Sequence, residues 1–451
     1  MSTPSHRAHT NTKRRMTTHA TLALSINAED AKRLEHASPS ISRRHERAFT
    51  LVELMVAITG GLFVSMVVFA LAREGSRFYQ RENRIAEATL AGVVGFDRLE
   101  HDIARAGFLS TPNIAADPLY CGNAATLNAA QLKSLASVRI EADATSATNA
   151  VLSAAGRTPQ TITLAGAYES VDRYPAWTVT TFPTGYAIRL QTGIGALLRL
   201  GIASLPLANQ NALLQQLFPV GRALRLLNVD TGMFQVSTIT GAAMVNGEAY
   251  VYITAQPVLN LSARGRCGLR GTTLVNVINI VRYSLRRVKG NTADFANYQH
   301  LFATGDQPYE NDRLELVREE LDTSGNPIAN TQELIAEYAV DLQFAVTAVQ
   351  NLATAPSLVT LGFDQPVAVQ ALAATPGTGG GRPQSIRSIR ARLSVRSREV
   401  DRQENIQASA SVAPGLYRVR LDDSKMKSSG FARVRTFQSD IVLPPQLELR
   451  W

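Results

Sequence analysis

One carboxylate, Glu53, sits inside an otherwise uncharged run, FTLVELMVAITGGLFVSMVVFAL, from Phe49 to Leu71. An acid at membrane depth costs ~2.5–3.5 kcal/mol, so it calls for a partner of opposite charge. The chemistry such a residue offers is ion pairing, not catalysis. Other reactive side chains are sparse. Beyond residue 48 the histidines are His101 and His300, and the chain's two cysteines are Cys121 and Cys267. No G-x-S-x-G, H-E-x-x-H or EF-hand pattern occurs. The sequence therefore argues against an enzyme and supplies no catalytic, metal or cofactor site. Gly377 to Gly381 lacks the lysine of a phosphate-binding loop and reads as a linker. In an oxidising compartment Cys121 and Cys267 can pair; the alternative is two unrelated buried thiols.

Composition fits a folded chain of 451 residues, 45% hydrophobic and 18% charged. Of the net charge of +9, residues 1–48 carry +5, from nine Lys/Arg and four Asp/Glu. The high pI is thus no evidence for a nucleic-acid partner of the main body. It does bear on topology, since Lys and Arg beside a membrane segment favour the cytoplasmic side. Arg43, Arg44 and Arg47 hold the leader inside, while Arg73, Arg77 and Arg81 weaken the asymmetry. The body then lies outside the cytoplasmic membrane. Two plainer readings compete. A secretory signal peptide would use Ala70-Leu71-Ala72 for cleavage, but the apolar run is too long for one and contains an acid. A plain anchor explains the length but not Glu53.

The elements that must position Glu53 follow from periodicity. Twenty-three residues from Phe49 to Leu71 make a helix about 35 Å long, enough to cross a bilayer. The helical pattern then continues. Phe78, Ile85, Gly92, Phe96, Leu99, Ile103 and Ala106, with Thr89 among them, form one stripe. Charged residues, Asp97, Arg98 and Asp102 included, fill the other faces, and Gly107 and Pro112 stop the helix. Downstream the pattern turns to strands: a hairpin of 222–229 and 234–239 around Asp230-Thr231-Gly232, and runs at 249–253, 275–283, 314–321, 340–346 and 389–395. Residues 330–339 read as a short helix or turn, and Asn123 to Asn149 as a loop. Arg387, Arg390, Arg392, Arg396 and Arg398 read as a solvated basic face. The fold class expected is α+β: a long N-terminal helix and a mostly antiparallel β head.

The string from Ala48-Phe49-Thr50-Leu51-Val52-Glu53 to Ala57 resembles the class III signal of type IV prepilins and type II secretion pseudopilins. The resemblance implies cleavage by a prepilin peptidase between Ala48 and Phe49, with Ala48 standing where the family usually has Gly. It also implies N-methylation of Phe49 and pairing of Glu53 with the amine of a neighbouring subunit. Residues 97–108, and the later segments 319–328 and 333–344, look like those of the PilW family of minor pilins. The implied plan is a removed leader (1–48), a transmembrane half-helix (49–71), a helix packed on the head (72–107) and a β-rich head (108–451), of one or two subdomains. The implied function is a minor pilin that primes pilus assembly in a tip complex. Its implied partners are other minor pilins, the major pilin, a large tip adhesin and inner-membrane lipid. The head would start in the periplasm and end outside the cell at the pilus tip. The rivals are a type II secretion pseudopilin of the J type, whose heads are usually about half this size, and a membrane-tethered binding or adhesive domain that never assembles.

Overall fold

The computed structural model describes residues 50–122, 127, 129–143, 149, 158–182, 185–254, 273–302, 313–350, 356–374, 381–398, 418–421 and 430–449. The architecture is α+β. One helix, α1 (Leu51–Ala104), precedes a series of antiparallel strands. The chain divides after Glu74 into two compact units.

In the first unit α1 is apolar and bare. From Leu51 to Ser76 it is long and apolar enough to cross a membrane, and none of that stretch is buried. Thr59, a polar residue within it, donates its hydroxyl to the Met55 and Val56 carbonyls of its own helix. That satisfies the Thr59 hydroxyl within its own helix.

In the second unit the helix becomes a core element. Phe96, Leu99 and Ile103 are buried, and Ala106 follows them beyond the helix end. The expected stripe therefore holds only over its last turns: Phe78 is 63% exposed. Two glycines let the helix approach closely. A Cβ on Gly92 would strike the Phe437 ring, and one on Gly95 would lie 2.7 Å from the Ile335 carbonyl oxygen. Gly107 ends the helical path at φ +83°, a left-handed conformation that glycine adopts without strain, and its N–H donates to the Ala165 carbonyl.

Among the described residues the strands form two sheets, of ten and five. The larger is organised by one long strand, β8 (Thr273–Arg286). Strands β1 (Val138–Ala142) and β2 (Gln160–Gly166) pair in order. They are followed by β3 (Tyr174–Phe182), β4 (Gly185–Leu190), β5 (Ala223–Asn228), β6 (Phe234–Val245), β7 (Glu248–Ile253) and β8 (Thr273–Arg286). The first half of β8 pairs with β3 on one edge and β5 on the other. Since β3 pairs β4, β4 pairs β7, β7 pairs β6 and β6 pairs β5, the ring closes into a six-stranded barrel. Its apolar filling includes Tyr174, Ile188, Val251, Val275 and, from the helix Leu207–Leu217 and its end, Leu214 and Phe218. The second half of β8 lies between β2 and β9 (Glu315–Leu321), which pairs in turn with β10 (Glu333–Ala336).

The smaller sheet runs β12 (Ser357–Leu361), β11 (Ala339–Gln350), β13 (Ile386–Arg396), β15 (Gly430–Val442), β14 (Arg418–Leu421). One core joins both sheets to α1: Leu99 and Ile103 lie with Leu164, Tyr283 and Leu316 of the first sheet and Phe344, Leu393 and Val434 of the second.

Several expectations need correction. Residues 330–339 hold no helix: the expected turn is present at Asn330 and at Glu337–Tyr338, but between them lies strand β10, because Leu334 and its neighbours complete the edge of β9. The Asn123–Asn149 run contains β1, whose Val138 and Ile140 are drawn into the core despite the Ala-rich surroundings. The arginines from Arg387 to Arg398 are not one solvated face, although Arg398 is exposed. Arg387, Arg392 and Arg396 are buried, and Arg390 pairs with Asp440 at 2.7 Å. Arg392 is held by Asp341 at 3.0 Å and lies 4.4 Å from the Phe363 ring centre, and Arg396 lies over Tyr338 at 4.7 Å. Pro376 to Gly380 lie outside the described residues.

Candidate functional site

Thr50 and Glu53 open α1 as a reciprocal cap. The Thr50 N–H and hydroxyl both donate to Glu53 Oε2 at 3.0 Å, and the Glu53 N–H donates to the Thr50 hydroxyl at 3.2 Å. This is the S/T-x-x-E capping box, in which two side chains satisfy N–H groups that the helix start leaves over. The pattern stands in the sequence, and reading Glu53 only as an intermolecular partner misses it. The carboxylate is exposed, and a second oxygen, Oε1, remains able to accept from outside the helix. Ala48 and Phe49, the expected cleavage and methylation positions, lie outside the described residues.

Asp102 departs most from the sequence pattern, which sets it on a solvated face. It is 1% exposed. Its carboxylate accepts from the Tyr283 hydroxyl of β8 at 2.8 Å and from Arg318 Nε of β9 at 2.8 Å. Arg318 reaches on to Glu333 at 3.4 Å, and Glu333 faces Arg98 of α1 at 4.0 Å. Burial works against the Arg318 charge, but the hydrogen bond and charge of Asp102 outweigh it and hold its pKa above the usual value. Burial, reinforced by the Asp102 charge, pushes the Tyr283 hydroxyl well above its ordinary pKa. The group is thus a fixed ion pair with a phenol as second donor. It holds α1 in one rotation and one axial register on the sheet, because sliding the helix would strand a buried charge.

The same sheet carries further buried acids. Glu320 accepts from Arg222 at 3.0 Å and from Asn279 at 3.2 Å. Glu319 takes both Arg282 and Arg286, at 2.6 and 2.7 Å. Arg313 pairs with Glu315 and lies between the rings of Phe302 and Tyr338, at 4.4 and 4.3 Å. Each of these three acids is matched to a guanidinium. Among the described residues no group of three or more His, Cys, Asp or Glu is placed to hold a metal ion.

Cys121 is disulfide-bonded. Its N–H donates to the Phe234 carbonyl at 2.8 Å, tying its segment to the start of β6. Cys267 lies outside the described residues.

No family model, no curated protein and no solved structure matches the chain.

Proposed function

We propose that this chain is a pilin-like subunit, a minor pilin of the PilW kind that helps to start a type IV pilus and stays at its tip. The observation that carries the reading is the make-up of α1. One helix supplies a bare apolar span, a single carboxylate at its head, and the residues buried in a β-rich body. The span enters the inner membrane with the body in the periplasm. Cleavage before Phe49 frees an amine, and Glu53 of the incoming subunit pairs with the amine of the one already placed. In low dielectric a misplaced helix leaves both charges unpaired, so the pairing sets axial register. Other minor pilins, the major pilin and a tip adhesin are the partners this reading requires.

The capping box favours a second reading, a membrane-tethered binding domain in which Glu53 only caps its helix. Glu53→Gln separates the two. Glutamine serves the capping box as well as glutamate does, but carries no charge. The pilin reading expects normal membrane insertion, amino-terminal mass spectrometry showing N-methyl-Phe49, and no subunit in sheared pili. Wild-type levels of the variant in pili, or a mature chain that keeps residues 1–48, overturns it.

A further inference from the structure

The outer face of the barrel carries side chains that the pilin reading does not use. The register of β3 against β4 slips between Ala176 and Thr178, making Trp177 the extra residue of a bulge. Bulges re-aim a side chain, and Trp177 is 62% exposed. Next to it, Thr178 faces Arg189 of β4, and Arg189 faces Tyr250 of β7. Glu248 accepts from Arg189 and, at 3.0 Å, from the Tyr250 hydroxyl, so one carboxylate fixes both neighbours. Tyr252, two residues along β7, faces Ala187 on one side and Gly241 on the other, and Ala243 faces Tyr250. These small residues keep the surface low around both rings. A Cβ on Gly241 would already touch the Tyr252 ring at 3.5 Å.

We propose that this face binds a neutral oligosaccharide. Aromatic faces suit the C–H faces of pyranose rings, because a ring quadrupole is negative on its face. The planar guanidinium and carboxylate beside them supply donors and acceptors for sugar hydroxyls. Held by one another, they lose little freedom on binding. Arg189 and Glu248 cancel in charge, which suits a neutral ligand and gives no phosphate a cation to pair with. From β3 to β7 the face is three strands wide, about 10 Å. Over the six residues of β7, about 20 Å, it covers roughly 200 Å², which matches a short run of sugar rings and falls below the ~800 Å² that a stable protein partner covers on each side.

The test uses the full-length protein in detergent on an array of neutral and sialylated glycans, followed by titration with the strongest array ligand. The inference expects a neutral glycan to bind with little dependence on salt. Trp177→Ala should weaken binding about tenfold or more, and Glu248→Gln and Tyr250→Phe by smaller factors, with thermal midpoints unchanged. No glycan bound, binding confined to sialylated glycans, or Tyr250→Phe and Trp177→Ala binding as wild type each overturns it. The face lies apart from Glu53, so failure here leaves the pilin reading intact.

Discussion

The Asp102 carboxylate of α1 and the Arg318 guanidinium of β9 meet at 2.8 Å with both side chains almost wholly out of water. Removing one partner leaves the other charge buried. Asp102→Ala should cost ~3–5 kcal/mol in urea unfolding, toward the lower end because Glu333 also reaches Arg318. An Asp102→Leu/Arg318→Met double variant should cost less than Asp102→Ala alone, since no charge is stranded. A double variant that loses the sum of the two single losses would show that the pair is not coupled.

Thr50→Val removes the hydroxyl of the capping box and keeps the Glu53 charge. The loss should be ~1 kcal/mol of local helix stability. Amide hydrogen exchange in detergent micelles should quicken in the first turn of α1 and nowhere in the β sheets. In Glu53→Gln the same amides should stay protected.

Gly92 and Gly95 face different neighbours, so alanine should act differently at each. At Gly95 the obstacle is the Ile335 backbone carbonyl, which cannot rotate away. At Gly92 it is the half-buried Phe437 ring, which can turn. Gly95→Ala should lower the thermal midpoint clearly more than Gly92→Ala. Equal losses would mean that β10 yields as easily as a side chain.

Burial raises the pKa of Glu315 and Glu320 above 4.5, with the charges of Arg313 and Arg222 offsetting only part of it. A carboxylate so raised holds its proton more tightly in the folded chain than in the unfolded one. The stability it contributes is complete below 4.5 and is lost as pH rises through the folded value. Thermal midpoints taken upward from pH 4.5 should show this loss, and Glu320→Gln should flatten it. An unchanged pH slope in Glu320→Gln would remove Glu320 from the account.

Local patterns were readable where one face meets water and the other a core. The hairpin of β5 and β6 is an example. Asn228, Asp230 and Gly232 build its turn, with Asn228 Oδ1 accepting from the Asp230 N–H at 2.9 Å and Gly232 at φ +72°. The helix stop at Gly107 is another. What stayed hidden depends on residues distant in sequence. Glu-Leu-Val-Arg-Glu-Glu-Leu in β9 looks like a half-solvated strand, yet every residue in it is buried, because Arg222 just before β5, Arg282 and Arg286 of β8 and Arg313 just before β9 come to its acids. Asp102 sits one step off the apolar stripe, and only the arrival of Arg318 and Tyr283 takes it inside. Barrel closure is equally non-local, since it rests on a single strand serving two partners at one place. Of the candidate site, the Glu53 motif was plain in the sequence, whereas the Asp102 contacts were not.

The barrel strands from Tyr174 to Ile253 form one stretch of chain, and both ends of the ring close on the front half of β8. Cutting that stretch out to make a minimal head would strip Leu274 and Val275 of hydrogen-bonding neighbours on either side. The truncated chain would then offer two raw strand edges beside an intact sheet, a template for self-association rather than a smaller working part.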